Sequence, residues 1–199
     1  MKKSVFIFLI LAFFALPLFV SAKTFSVYPS TSSETIEAIL NASSKTKVRP
    51  AVLYGLFGQE TGYGGYLGKT EGEWNAFCAS RSTEDCSNWR AYDCKANYSN
   101  ANFFDEILKL LGFVDASGNA DRREIPVSST CAMGFTQFEP NTWRQVTQGK
   151  GERIYNPWDM KDAILMSAYY LQDLGADRNE ILDRGEVMGE KDRIALQRY

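Results

Sequence analysis

The stretch AVLYGLFGQETGYGG, residues 51–65, decides the reading. Leu53, Leu56, Phe57 and Glu60 recur at i, i+3, i+4 and i+7, which is the spacing of one helix face. Pro50 supplies a first-turn residue whose missing N–H costs the helix nothing, and Gly62 supplies a stop. A carboxylate therefore falls on the apolar stripe, in the last helical turn. Burial disfavours its charged form, and the negative end of the helix dipole disfavours it further. Both effects favour the neutral acid, a candidate proton donor near neutral pH. On spacing alone, a glutamate at a frayed helix end that simply reaches water fits as well.

Working outward, the remaining periodic segments also read as helices. SSETIEAILNASS (32–44) has a serine start and places Ile36, Ile39 and Leu40 on one face. NANFFDEILKLLG (100–112) carries apolar residues at 103, 104, 107, 108 and 111 and closes on Gly112. EPNTWRQVTQG (139–149), NPWDMKDAILMSAYYLQDLG (156–175) and GEKDRIALQRY (189–199) complete the set. No alternating strand pattern persists, so the expected fold class is mainly α. It is a single domain with long loops at 62–99 and 113–132.

Those loops hold all four cysteines, Cys78, Cys86, Cys94 and Cys131. Four cysteines allow three connectivities. The favoured pairing is Cys78–Cys86 with Cys94–Cys131, which would pin the loops. An oxidising compartment is expected from the first residues. Lys2 and Lys3 precede the apolar run VFIFLILAFFALPLFV, and VSA at 20–22 is a small-residue cleavage site. Residues 1–22 thus read as a cleavable signal peptide. The 16-residue run falls short of the ~20 residues of a membrane span, so no stable span is expected after cleavage.

The chain has 199 residues, 45% hydrophobic and 23% charged, with a net charge of −2. No basic patch stands out, which argues against a nucleic-acid partner. The chain contains no histidine. That removes most zinc sites and every Ser-His-Asp or Cys-His catalytic set. No metal and no cofactor are expected, and the candidate catalyst is a carboxylate.

A second constellation is CAMGFTQFEPNTW, residues 131–143. Gly134 would let a backbone approach a ligand closely. Gln137 offers both a donor and an acceptor, as sugar hydroxyls require. Phe135, Phe138 and Trp143 could stack on sugar faces, or could equally form an ordinary core turn.

GQETGYGGYLGK, AMGFTQFEPNTW and NPWDMKDAILMSAYYLQDLGA together resemble the lytic transglycosylase family, of lysozyme-like fold, from about Pro50 to the C-terminus. The resemblance implies that residues 23–199 form one such domain acting on peptidoglycan glycan strands in the periplasm or outside the cell. Glu60 matches the family's sole acid/base. Thr61 stands where serine is usual. Gly134, Phe135, Thr136 and Gln137 stand where the family has Gly-Leu-Met-Gln. Tyr170 matches the tyrosine of the third motif, with Tyr169 in place of the usual asparagine. Tyr199 matches the tyrosine of a Tyr-Asn-x-Gly element whose Asn and Gly are absent from this sequence, so the expectation is either a domain truncated there or an incomplete site. Thr61, Gly134, Phe135, Gln137, Tyr170 and Tyr199 are the substrate-binding positions the resemblance implies. The reaction it implies is cleavage of the β-1,4 bond between N-acetylmuramic acid and N-acetylglucosamine with a 1,6-anhydro product. Two alternatives stand beside it: a lysozyme-type hydrolase, and a non-catalytic glycan-binding or envelope-assembly protein of the same fold.

Overall fold

The computed structural model of the chain describes residues 32–92, 94, 99–151, 153–182 and 186–199. The expected signal peptide lies outside the described residues. The helices are α1 (Ser32–Lys45), α2 (Pro50–Thr61), α3 (Glu71–Cys78), α4 (Glu84–Tyr92), α5 (Ser99–Leu111), α6 (Pro140–Thr147), α7 (Met160–Asp173) and α8 (Glu190–Arg198). A 3₁₀ turn spans Gly134–Thr136. The fold is mainly α, as its periodicities predict, and no β-strand occurs among the described residues.

α7 is the hub. Ala163, Ile164, Met166, Ser167, Ala168 and Leu171 are all buried on it. It packs against α1, α2, α6, α8 and the 3₁₀ turn. Asp159 caps its start, accepting from the Asp162 amide at 3.0 Å. α1 lies on α7 through Thr35, Ala38, Ile39 and Ala42, all buried. This corrects the expected face: Ile36 and Leu40 are 51% and 55% exposed. Small side chains let two helices approach more closely than a ridge of isoleucine and leucine would. Of the three residues on the expected face, Ile39 alone is buried, so the buried face is rotated away from the one that hydrophobicity marks.

The expected long loop at 62–99 is also corrected, since it contains α3 and α4. Thr70 and Glu73 form a capping box at the start of α3. Trp74 of α3 stacks on Trp89 of α4 with ring centroids 5.6 Å apart. The Cys78–Cys86 disulfide joins the end of α3 to the start of α4. Cys94–Cys131 ties the segment after α4 to the approach of the 3₁₀ turn. Both pairings are those favoured from the sequence.

The segments before α3 and before α6 build a wall from single antiparallel bridges. They join Lys69 to Val127, Val127 to Met133, and Met133 to Phe138. Two indoles brace it: Trp74 donates to the Val127 carbonyl at 2.9 Å and Trp158 to the Pro126 carbonyl at 3.0 Å. Each ring is buried, so each N–H needs such an acceptor.

The two cross-links differ in reach, spanning 8 and 37 residues. Loop-closure entropy favours the longer one, about 4 kcal/mol against roughly 2.5. Replacing Cys94 and Cys131 by alanine is expected to cost more stability in urea unfolding than replacing Cys78 and Cys86. Equal or reversed losses would contradict this.

Candidate active site

α2 ends at Gly62, whose left-handed backbone (φ 57°) sends its N–H back to the Gly58 carbonyl. Glu60 therefore sits in the last turn, on the same side of α2 as buried Leu53, Leu56 and Phe57. Its carboxyl lines a cleft of about 560 Å³ together with Ser128, Thr130, Ala132, Gln137, Phe138, Glu139, Thr142 and Tyr199. Burial raises its pKa above the ordinary 4.5. No charged neighbour contributes to that shift, so desolvation alone carries it.

The neighbouring Thr61 is the structural node. Its buried hydroxyl donates to the Phe135 carbonyl at 3.1 Å and accepts from the Gly64 amide at 3.0 Å. The bonds tie the Glu60 helix, the glycine turn and the 3₁₀ turn to one oxygen. With 3% of its surface exposed, Thr61 positions the cleft and has no face left for the substrate contact expected of it. Thr61→Val removes those bonds at nearly constant volume and strands the buried Phe135 carbonyl and the half-buried Gly64 amide. It is expected to cost about 1–3 kcal/mol in denaturant unfolding, with Thr61→Ser largely sparing stability.

Gly134 also departs from expectation. It has φ 68°, and a Cβ there would lie 1.9 Å from the Pro157 carbonyl oxygen. The close approach is to the protein's own backbone rather than to a ligand. It lets the Phe135 amide bond Pro157 O at 3.1 Å. Phe135 is itself buried, 5.9 Å from Phe57 by ring centroid. Gly64 leaves it room, since a Cβ there would come within 2.8 Å of its ring. Neither Phe135 nor buried Trp143 lines the cleft, so neither offers a sugar a face. Phe138 does line it, backed edge-on by Trp143 at 5.5 Å.

Gln137 holds a left-handed conformation (φ 52°, ψ 38°), which costs a non-glycine residue of order 1–3 kcal/mol. Its side-chain nitrogen donates to the Gly134 carbonyl at 2.8 Å. That bond fixes the amide and presents its oxygen as the acceptor end. Backbone strain at a residue that lines the cleft beside the buried acid is the pattern of a pre-organised site.

Tyr199 lines the cleft with its ring while its hydroxyl is spent elsewhere. It donates to the Thr136 carbonyl at 3.1 Å and shares a 2.9 Å bond with Ser167 of α7. Burial pushes its phenol well above the ordinary range, and the nearby Glu60 charge adds to the effect. Tyr170 is close without lining the cleft. Its ring packs 5.5 Å from Tyr199 and 5.8 Å from Phe138. The three rings form a cluster that backs the cleft. Sequence reasoning did not single out Ser128, Thr130, Thr142 or Ser167. Ser128 and Thr130 come from a polar turn whose position depends on Cys131, and Ser167 gains its role only when α8 docks. Among the described residues no three histidine, cysteine, aspartate or glutamate side chains gather as a metal-ligand set. Nor is any described helix long and apolar enough to cross a membrane.

The Transglycosylase SLT domain family model matches residues 19–188. Comparison with curated protein sequences finds no match. Among solved structures, the chain is similar to the Escherichia coli lytic transglycosylase Slt35 in complex with bulgecin A. It is similar also to a 36 kDa muramidase/transglycosylase. In both cases identity is 22%, the TM-score is 0.52, and the match covers 75% of this chain and 44% of the other. At that identity the likeness concerns the fold. The chain spans less than half the length of those solved chains.

Because burial disfavours the Glu60 carboxylate, its ionisation opposes folding. At low pH the acid is neutral in both states and the penalty is absent. The penalty appears as pH rises through the unfolded value of 4.5 toward the higher folded one. Glu60→Gln is therefore expected to be more stable than the parent at about pH 8, with the gain fading below about pH 4. A gain that grows with acidity would contradict the desolvated placement.

Proposed function

The chain belongs to the Transglycosylase SLT domain family, and from that premise we propose that it is a peptidoglycan lytic transglycosylase with Glu60 as its one acid/base. The observation that carries the reading is the Glu60 carboxyl, raised in pKa by burial alone, in a cleft it shares with strained Gln137 and with Tyr199.

Protonated Glu60 donates to the glycosidic oxygen between N-acetylmuramic acid and N-acetylglucosamine. The C1–O bond breaks and positive charge builds at C1, as in glycoside cleavage generally. The new Glu60 carboxylate then takes the proton from the muramoyl C6 hydroxyl. That oxygen closes on C1 and leaves a 1,6-anhydro end. Glu60 gives one proton to the leaving hydroxyl and takes a different one from the C6 hydroxyl, so it ends protonated again and no water is consumed. One carboxyl thus suffices, provided its surroundings tolerate both of its states. A half-buried acid without a fixed cation partner meets that condition. The Gln137 amide oxygen accepts from a sugar hydroxyl, and Phe138 and Tyr199 supply the apolar flank.

Residues 1–22 act as an export signal removed after Ala22, and the protein works on glycan strands in the cell envelope. Two disulfides within one small domain suit that oxidising compartment.

Glu139 lines the same cleft, and this favours a second reading as a hydrolase. A second carboxylate could steer water onto C1 in place of the C6 hydroxyl. Mass analysis of muropeptides released from purified peptidoglycan separates the two. Muramoyl ends lighter by one water are expected; reducing muramoyl ends would overturn the lyase reading. Glu60→Gln is expected to cut the rate by about a hundredfold or more, and unimpaired cleavage by that variant would remove Glu60 from its role.

A further inference from the structure

Arg49 and Asp192 form an ion pair that is 8% and 0% exposed by residue. Arg49 is the residue that caps the start of α2, and Asp192 lies in the first turn of α8. The far ends of these two helices carry Glu60 and Tyr199, which meet in the cleft. At 1.5 Å per residue the anchor is about 16 Å from Glu60 along α2 and about 10 Å from Tyr199 along α8. Two elements from opposite parts of the chain therefore run from one shared anchor to one shared site. We propose that the Arg49–Asp192 pair is a positioning device: it sets α8 against the α1–α2 corner so that Tyr199 closes the cleft beside Glu60. The inference rests on the reaction proposed above for its kinetic consequence, but not for its geometry.

The surroundings support a latch rather than incidental surface pairing. The second guanidinium nitrogen of Arg49 donates to the Glu180 carbonyl. The Glu180 carboxylate accepts from the Lys191 amide at 3.0 Å, in the first turn of α8. Asp192 accepts from the Gly189 amide at 3.2 Å through the oxygen that also meets Arg49. Upstream, Arg178 donates its side chain to the Ser43 carbonyl at 2.7 Å and its amide to the Lys47 carbonyl. The described parts of 176–192 are thus fastened to the α1–α2 corner by polar contacts at several points. α8 itself has little apolar surface to bury: Ala195 is its one fully buried apolar residue. Hydrophobic contact alone would leave its register loose.

A buried ion pair seldom stabilises a fold more than apolar residues of similar volume would, because both charges lose their water. The second oxygen of Asp192 is buried without a hydrogen-bond partner, which raises that cost. What we infer this pair to supply is a unique register. A one-turn slip of α8 would withdraw the Tyr199 hydroxyl from Ser167 and from the Thr136 carbonyl, its two partners at the site.

The test is a double-mutant cycle between Asp192 and Tyr199, read by turnover of purified peptidoglycan and by 19F NMR of 3-fluorotyrosine placed at position 199. Asp192→Asn is expected to unfold cooperatively yet move the fluorine resonance toward its value in the unfolded chain. It should lower kcat roughly ten- to hundredfold. Adding Tyr199→Phe should then cost little more, because both changes undo one seat. A folded Asp192→Asn protein with the parental fluorine resonance would overturn the proposal. So would losses that multiply, since residues at opposite ends of a helix act independently unless one positions the other. If Asp192→Asn does not fold, Arg49→Lys decides by the same two readouts, because it keeps the charge and loses the forked contact to the Glu180 carbonyl. If the parent itself cleaves no glycan, the proposed reaction fails, and the fluorine resonance alone decides the latch.

Discussion

The Thr61 hydroxyl joins three segments of the site at one oxygen. Its neighbour Glu60 lies in the last turn of α2, and its acceptor Phe135 lies in the 3₁₀ turn before Gln137. The glycine turn closes on the same oxygen through the Gly64 amide. A carboxyl held over an apolar surface has an unfavourable charged state, and only a rigid frame keeps it there instead of letting it swing to water. Thr61 supplies that frame on one side, and the packing of Phe135 against Phe57 supplies it on the other.

The opposite flank of the cleft depends on aromatic contacts and on α8. Phe138, Tyr170 and Tyr199 touch one another, with ring centroids 5.2 to 5.8 Å apart. Pairs at such distances contribute about 0.5–1.5 kcal/mol each beyond the area they bury. Tyr199 belongs to a helix with little apolar surface, so its contacts must be fixed partly by charge. The cleft therefore unites a well-packed side, on α2 and the 3₁₀ turn, with a side fastened partly by polar bonds. The stability of the whole and the precision of the site are set by different interactions.

Much of this was legible in the sequence. The α2 stripe, the apolar positions of α5 and the glycine stop after Thr61 are local signals, and each stands where the periodicity puts it. The acid on the stripe was legible for the same reason. What failed depended on contacts distant in the chain. The exposed Ile36 and Leu40 show that Ile39 and a row of small residues face α7. α3 and α4 were missed because they span only 8 and 9 residues, too short to show a helical period, and are held by a disulfide and a tryptophan stack. Gly134 and Thr61 read as ligand contacts because local sequence cannot reveal that Pro157 and Phe135 already occupy their surroundings. Residues of the cleft that came from unpatterned turns, Ser128 and Thr130, carried no periodic signal at all.

The central claim is that burial at the cleft raises the pKa of one carboxylic acid above its ordinary value. A direct titration of the Glu60 side chain tests it: 13C-carboxyl NMR of the folded protein, with the resonance assigned by its disappearance in Glu60→Gln. The account predicts a midpoint clearly above the ordinary 4.5. A midpoint at or below that value would show a carboxylate at ease in water or held by a cation, and would contradict it.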